Sequence, residues 1–206
     1  MSSFLHYTHF FLAFTLRLFF LFSPFFILSS FLSITQDEDS VSRHRLALTL
    51  SINVAVVCIA IFLFGVWIMQ AFGITVAAFR AGSGLLLMLV AINLVYGSEE
   101  TNYVNAKNLQ ELVLVPLAVP ITAGPATLGA LMVAGMDCES LLERLFSVLG
   151  ILAAATITGI MLYYSKKLEE IIGKARIKIL SKVTGLILSA IAAQMLVEGV
   201  RELWQS

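Results

Sequence analysis

Apolar runs of bilayer length alternate with short polar connections along this chain. A helix that crosses a hydrocarbon layer of about 30 Å needs roughly 20 residues, at about 1.5 Å of rise each. Six runs meet that length: residues 10–34, 46–69, 74–96, 112–135, 145–164 and 179–197. The connections are polar, as in QDEDSVSRHR after the first run and GSEETNYVNAKN after the third. The pattern predicts an all-α membrane protein with six transmembrane helices, a single polytopic membrane domain over residues 1–206. The first run lacks the marks of a cleaved signal peptide. It has no basic start, Arg17 interrupts it, and no small-residue cleavage site closes it. It is expected to remain as a span, with Arg17 near its outer end, where the long stem can reach the interface.

Composition narrows the class. Hydrophobic residues make up 59% of the chain and charged residues 13%, against about 25% charged in an average soluble domain. Mean hydropathy is +0.95. One soluble core cannot hide that much apolar surface, and no polar stretch is long enough for a separate soluble domain. The net charge of zero gives no sign of nucleic-acid binding. The expected partners are the lipid bilayer and an unknown small solute, with a homo-oligomer left open. Cys58 and Cys138 follow no metal or redox spacing, and no disulfide between them is expected.

Lys and Arg in the connections set the orientation. One face collects Arg43, Arg45, Lys107, Lys166, Lys167, Lys174, Arg176 and Lys178, with Lys182 just inside the sixth run. The other has Arg17, Arg80, Arg144 and Arg201. The first face is expected to be cytoplasmic, which puts both termini outside the cytoplasm of a bacterial inner membrane.

The chain also resembles itself at an offset of 101 residues. Pro24 falls on Pro125, Ser83-Gly84-Leu85 on Thr184-Gly185-Leu186, Leu87 on Leu188, Ala91 on Ala192 and Asn93 on Gln194. No gap is needed between the proline pair and the glycine pair. Two halves of three spans follow, about residues 10–97 and 111–199. Because three is odd, the second half enters the membrane from the opposite side, giving an inverted repeat.

Both halves carry a proline within an apolar run, so spans one and four are expected to be broken. A proline removes a backbone donor and excludes the carbonyl four residues back. In lipid the freed groups need hydroxyls, neighbouring helices or water, and Ser23, Thr122 and Thr127 are near enough to serve. Broken helices at mid-membrane can also aim helix ends or bare carbonyls at a solute. A structural kink and a solute-lining role fit residues 122–127 equally well. The candidate substrate-binding residues are Ser23, Pro24, Thr122, Gly124, Pro125 and Thr127, with Arg80, Asn93 and Gln194 in support.

Each supporting residue also has a plainer role. Arg80 is an interfacial anchor, or a charge that pairs with a substrate carboxylate or a protein acid. Asn93 and Gln194 are interhelical hydrogen-bonding amides. Small residues recur every fourth position, as Ala118, Thr122, Ala126, Ala130 and Ala134 in span four, Gly150, Ala154 and Thr158 in span five, and Ser181, Gly185, Ser189 and Ala193 in span six. Such stripes permit tight helix packing. No buried acidic pair, His–Asp relay or Gly-rich phosphate loop is visible. The chain is therefore expected not to be an enzyme and to carry no cofactor or metal. Asp37, Glu38 and Asp39 read as a solvated loop.

The segments FGITVAAFRAGSGLLL (72–87), VPLAVPITAGPATL (115–128) and ILSKVTGLILSAIAAQMLVEG (179–199) resemble the MarC family of six-span bacterial inner-membrane proteins. The resemblance covers about residues 17–200. It implies kinship with LysE-type exporters, hence transport by analogy; the family's name, from a multiple-antibiotic-resistance locus, does not imply a direct role in antibiotic efflux. One departure stands out. The family carries Asn-Pro-x-Gly in its first span, where this chain has Ser23-Pro24-Phe25-Phe26, with Ser29 at about the place of a second proline. The leading expectation is a small-solute transporter, in the exporting direction, working by alternating access around the breaks. The alternative is a non-transporting structural or partner-binding membrane protein.

Overall fold

The computed structural model describes residues 2–36, 38–96, 125–138 and 140–205, with side chains for 7–36, 38–96, 127–138 and 140–205. Regular structure among them is entirely helical. The helices are α1 (Ser2–Leu21), α2 (Pro24–Ile34), α3 (Ser40–Phe72), α4 (Val76–Tyr96), α5 (Pro125–Asp137), α6 (Leu141–Tyr163), α7 (Ser165–Ile172) and α8 (Lys174–Gln205). Helices α3, α4, α6 and α8 are each long and apolar enough to cross a membrane. The pair α1–α2, bent by 43°, makes a fifth when its two helices are read as one crossing. The expected fourth span enters only through its second half, α5. Thr122 and Gly124 lie outside the described residues.

Local chemistry sets the helix ends. The Asp39 carboxylate caps α3 by accepting from the Ser42 N–H at 3.3 Å, and hydrogen bonding from the Ser42 side chain, then from this N–H, holds its pKa below the usual value. Ser140 and Glu143 form a reciprocal capping box at the start of α6. Gly73, at φ 65°, closes α3 in a conformation glycine adopts freely. At the end of α2, the Arg43 side chain is buried and donates to the carbonyls of Thr35 at 2.9 Å and Glu38 at 2.8 Å. It adds a donor to carbonyls at the end of α2 and in the turn that follows.

Helices α3 and α8 run beyond the expected spans, over 40–72 and 174–205. Hydropathy marks only the hydrocarbon-embedded stretch, whereas helical hydrogen bonding continues where water and headgroups begin. The lysine-rich connection after span five is likewise not irregular. It forms α7, whose Leu168 and Ile172 pack on the core while Lys166 and Lys167 are exposed.

Helices α4 and α8 pack most closely. A Cβ on Gly84 would fall 3.0 Å from the Ala192 carbonyl oxygen and 2.7 Å from the Leu196 nitrogen. One on Gly185 would fall 3.0 Å from the Ala91 carbonyl oxygen and 2.9 Å from Val95 Cγ2. One on Gly199 would fall 2.5 Å from the Ala81 nitrogen. Early residues of α4 therefore meet late residues of α8, and the two helices run antiparallel. Around this pair, α2 packs on α8, α5 on α3 and α4, and α6 on α1 and α3.

The stripe expected in span six is half right. Ser181 and Gly185 are buried, Ser189 is half-buried and Ala193 is exposed. The buried face runs instead through Gly185, Leu188, Ala192, Met195 and Gly199. With 3.6 residues per turn, a strict four-residue step drifts about 40° each time, so packing alternates steps of three and four. In span five, Gly150, Ala154 and Thr158 are all buried as expected.

Two glycines of α4 separate packing from propensity. Gly82 faces open space, whereas Gly84 lies against α8 backbone. Gly84→Ala is expected to destabilise the purified protein by about 1–3 kcal/mol through overpacking. Gly82→Ala should be neutral or stabilising by up to about 1 kcal/mol, since alanine is the better helix former. Thermal unfolding in detergent compares the two.

Candidate functional site

The break between α1 and α2 is built by Phe22, Ser23 and Pro24. Pro24 has no N–H to continue α1, but its fixed φ suits the first position of a new helix. Ser23 takes the left-handed conformation, at φ 51° and ψ 58°. It is the one non-glycine residue with positive φ among those described. Such a conformation costs a residue other than glycine or asparagine on the order of 1–3 kcal/mol. The backbone is otherwise well satisfied. The Ser23 N–H donates to Phe20 O at 2.8 Å, and the Ser23 carbonyl accepts from Phe26 at 2.9 Å and Ile27 at 3.1 Å.

The second proline-initiated helix comes to this break. Helix α5 starts at Pro125, and the hydroxyl of Thr127 donates to the Leu21 carbonyl at 3.2 Å. Ser23, Pro24 and Thr127 are all buried. The structure thus brings together candidates that stand about a hundred residues apart in sequence, and Thr127 supplies the hydroxyl expected for a freed carbonyl. The wall around them is dense: Phe22, Ile27, Leu28 and Phe31 are all buried. Phe26 is half-buried and packs on this core.

Ser83 was missed from the sequence as a neighbour of this region. It is buried on α4 and lies against Gly129 of α5, where a Cβ would collide with its side chain. Gly135 lets α5 approach the Phe62 carbonyl of α3, to 2.5 Å for an added Cβ. The AGSG signal in the sequence contained Ser83, but only packing reveals which helix it meets.

The other candidates lie apart. Counting about 1.5 Å per residue from Met88, midway along the α4–α8 crossing, Arg80 sits about 12 Å towards the start of α4. There it pairs with Asp137 at the end of α5 and with Glu202 of α8. Of the roles weighed for Arg80, pairing with protein acids is the one observed. Asn93 and Gln194 are exposed, and Gln194 donates to Glu198 of its own helix at 2.9 Å. The antiparallel crossing sets these two amides on opposite sides of its midpoint, so they do not form a pair.

The region near Asp137 also holds a thiol. Cys138 is buried, donates to Ala134 O at 3.2 Å and lies 3.6 Å from Ser147 Oγ. Burial pushes its pKa up. Both cysteines are free. Among the described residues, no group of three His, Cys, Asp or Glu side chains is placed to hold a metal ion.

The break yields two expectations for unfolding experiments. Ser23→Asn and Ser23→Gly should raise the melting temperature by relieving the left-handed strain, while the β-branched Ser23→Val should lower it. Thr127→Val should cost about 0.6–1.7 kcal/mol, the range for interhelical hydrogen bonds in membranes.

Comparison with known proteins adds kinship to this geometry. A family model for the MarC family integral membrane proteins matches residues 8–204. A UPF0056 membrane protein of Methanocaldococcus jannaschii is 34% identical over 198 residues, 94% of this chain and 96% of its own. The UPF0056 membrane protein YhcE of Escherichia coli is 27% identical over 195 residues, 91% of this chain and 90% of its own. YvbG of Bacillus subtilis, also a UPF0056 membrane protein, is 25% identical over 178 residues, 83% and 84% of the two chains. No solved structure matches the chain.

Proposed function

Because the chain belongs to the MarC family of integral membrane proteins, we propose that it is a small-solute transporter built from two inverted three-span halves. The observation that carries this reading is reciprocity at the 101-residue offset. Gly84 meets Ala192 and Leu196, while Gly185 meets Ala91 and Val95. Each contact becomes the other when 101 is added or subtracted. Helix starts follow the same offset: Pro24 and Pro125 open α2 and α5, and Asp39 and Ser140 precede α3 and α6. Packing of α2 on α8 is likewise mirrored by α5 on α4. A pseudo-twofold axis in the membrane plane accounts for all of these together. Exchange of conformation between halves about such an axis is how inverted repeats alternate access.

In this reading the solute meets the two breaks, lined by Ser23, Pro24, Thr122, Gly124, Pro125 and Thr127. Arg80 supports the site from the mouth, already neutralised by two acids, and Asn93 and Gln194 stand further out. The lysine-rich face is cytoplasmic, in a bacterial inner membrane, and transport runs outward by analogy with LysE-type exporters. The dense packing of Phe22 and Leu28 against the first break supports a closed state of the transporter. It equally favours the second reading, a structural or partner-binding membrane protein.

Thermal unfolding against amino acids, divalent metals, organic anions and antibiotics tests for a site. A compound at 100 times its dissociation constant adds about 2.7 kcal/mol of stability. The expected result is a shift from one class, abolished by Thr122→Val or Gly124→Leu, with flux of that class into vesicles lost in Gly124→Leu while insertion is intact. A folded Gly124→Leu protein with full flux would remove the site from the breaks.

A further inference from the structure

Arg80 joins three elements that sequence keeps far apart. It lies on α4, and its two acids come from the end of α5 and from α8, 57 and 122 residues away. The Arg80 side chain is only 11% exposed, while those of Asp137 and Glu202 are 55% and 44% exposed. A largely buried guanidinium is thus met by carboxylates that reach in from the aqueous side. We propose that Arg80, Asp137 and Glu202 form an ionic latch that holds the end of α5 closed against the α4–α8 pair, at the mouth opposite the lysine-rich face. This rests on the transport reading in one respect only, that α5 is a moving half-helix.

The packing of α5 fits a part that is latched. Its described helix is short, Pro125–Asp137. Gly129 and Gly135 let it lie close on Ser83 of α4 and on the Phe62 carbonyl of α3. Its last residue, Asp137, carries the ionic tie.

The corresponding end of α2 is held differently. There Arg43 donates to the neutral carbonyls of Thr35 and Glu38, close by in sequence. The residue offset by 101 from Arg43 is Arg144, which is exposed, and the one offset from Arg80 is Ser181, which carries no charge. The two halves are alike in backbone but not in what fastens them. Of these two helix ends, only that of α5 is fastened by opposite charges; at the lysine-rich face the pair Lys174–Glu169 joins α7 to α8, neighbours in sequence.

The chain supplies its own reporter. Cys138 follows Asp137 directly and is 7% exposed, with its thiol against Ala134 O and Ser147. The other cysteine, Cys58, is fully buried in α3. In a Cys58→Ala background, in lipid nanodiscs with both faces open to reagent, the rate of Cys138 modification by a polar maleimide reads the latch. Arg80→Gln and Asp137→Asn are expected to raise that rate at least tenfold. The reversed pair Arg80→Glu with Asp137→Arg, made together with Glu202→Arg so that no acid faces the new carboxylate, should return it to within about twofold of the parent. Glu198→Gln, on α8 but outside the ion pairs, should leave it unchanged. Should Arg80→Gln fail to fold, Glu202→Gln removes one exposed partner alone and is expected to raise the rate at least threefold. A folded Arg80→Gln or Glu202→Gln protein that labels at the parent rate overturns the latch, as does a reversed pair that labels as fast as Arg80→Gln. The readout needs no solute. A failed latch with flux still lost in Gly124→Leu leaves the transport reading standing, and a working latch with no compound transported leaves the latch standing.

Discussion

The close approach of α4 and α8 is the constraint on which the rest of the structure depends. In a bilayer, helices gain little from hiding apolar surface, because lipid is as apolar as leucine; close backbone packing must do more of the work. Glycines 84, 185 and 199 remove the side chains that would hold the two backbones apart. Once α4 and α8 are fixed antiparallel, α2 finds its place on α8 and α5 its place on α4. The two proline-initiated helices are set by the same crossing.

The breaks follow from the same solvent. A carbonyl left without its donor in hydrocarbon needs another donor. Leu21 receives one from Thr127, so the break that ends α1 is completed by a residue of α5. Ser23 sustains its left-handed conformation inside this arrangement. An asparagine would suit that backbone better, and the aromatic Phe26 packs against the core beside it. The first break is accordingly a tight one.

Charge is placed with the same economy. The two arginines that matter most to the described helices are each engaged at a helix end, Arg43 with carbonyls and Arg80 with carboxylates. Neither needs to lie at mid-membrane, where a bare charge would cost about 2.5–3.5 kcal/mol or more. They act at the two ends of the bundle, where water or headgroups share the cost.

The sequence by itself determined the membrane class, the boundaries of the long spans to within a few turns, the break at Pro24, and the 101-residue self-resemblance. Each depends on hydropathy, on proline's missing donor or on local periodicity, all readable along the chain. The family's motifs were also legible there. Tertiary structure alone decided that Thr127 answers the Leu21 carbonyl, that Ser83 faces Gly129, that Arg80 binds Asp137 and Glu202, and that Asn93 and Gln194 stand apart. Those outcomes depend on the direction and depth of the α4–α8 crossing. A hydrophobic stripe says which side of a helix is buried, but not which neighbour it meets or at what height. In a bundle whose faces are all apolar, that choice belongs to backbone contact and to the few polar groups that must find one another.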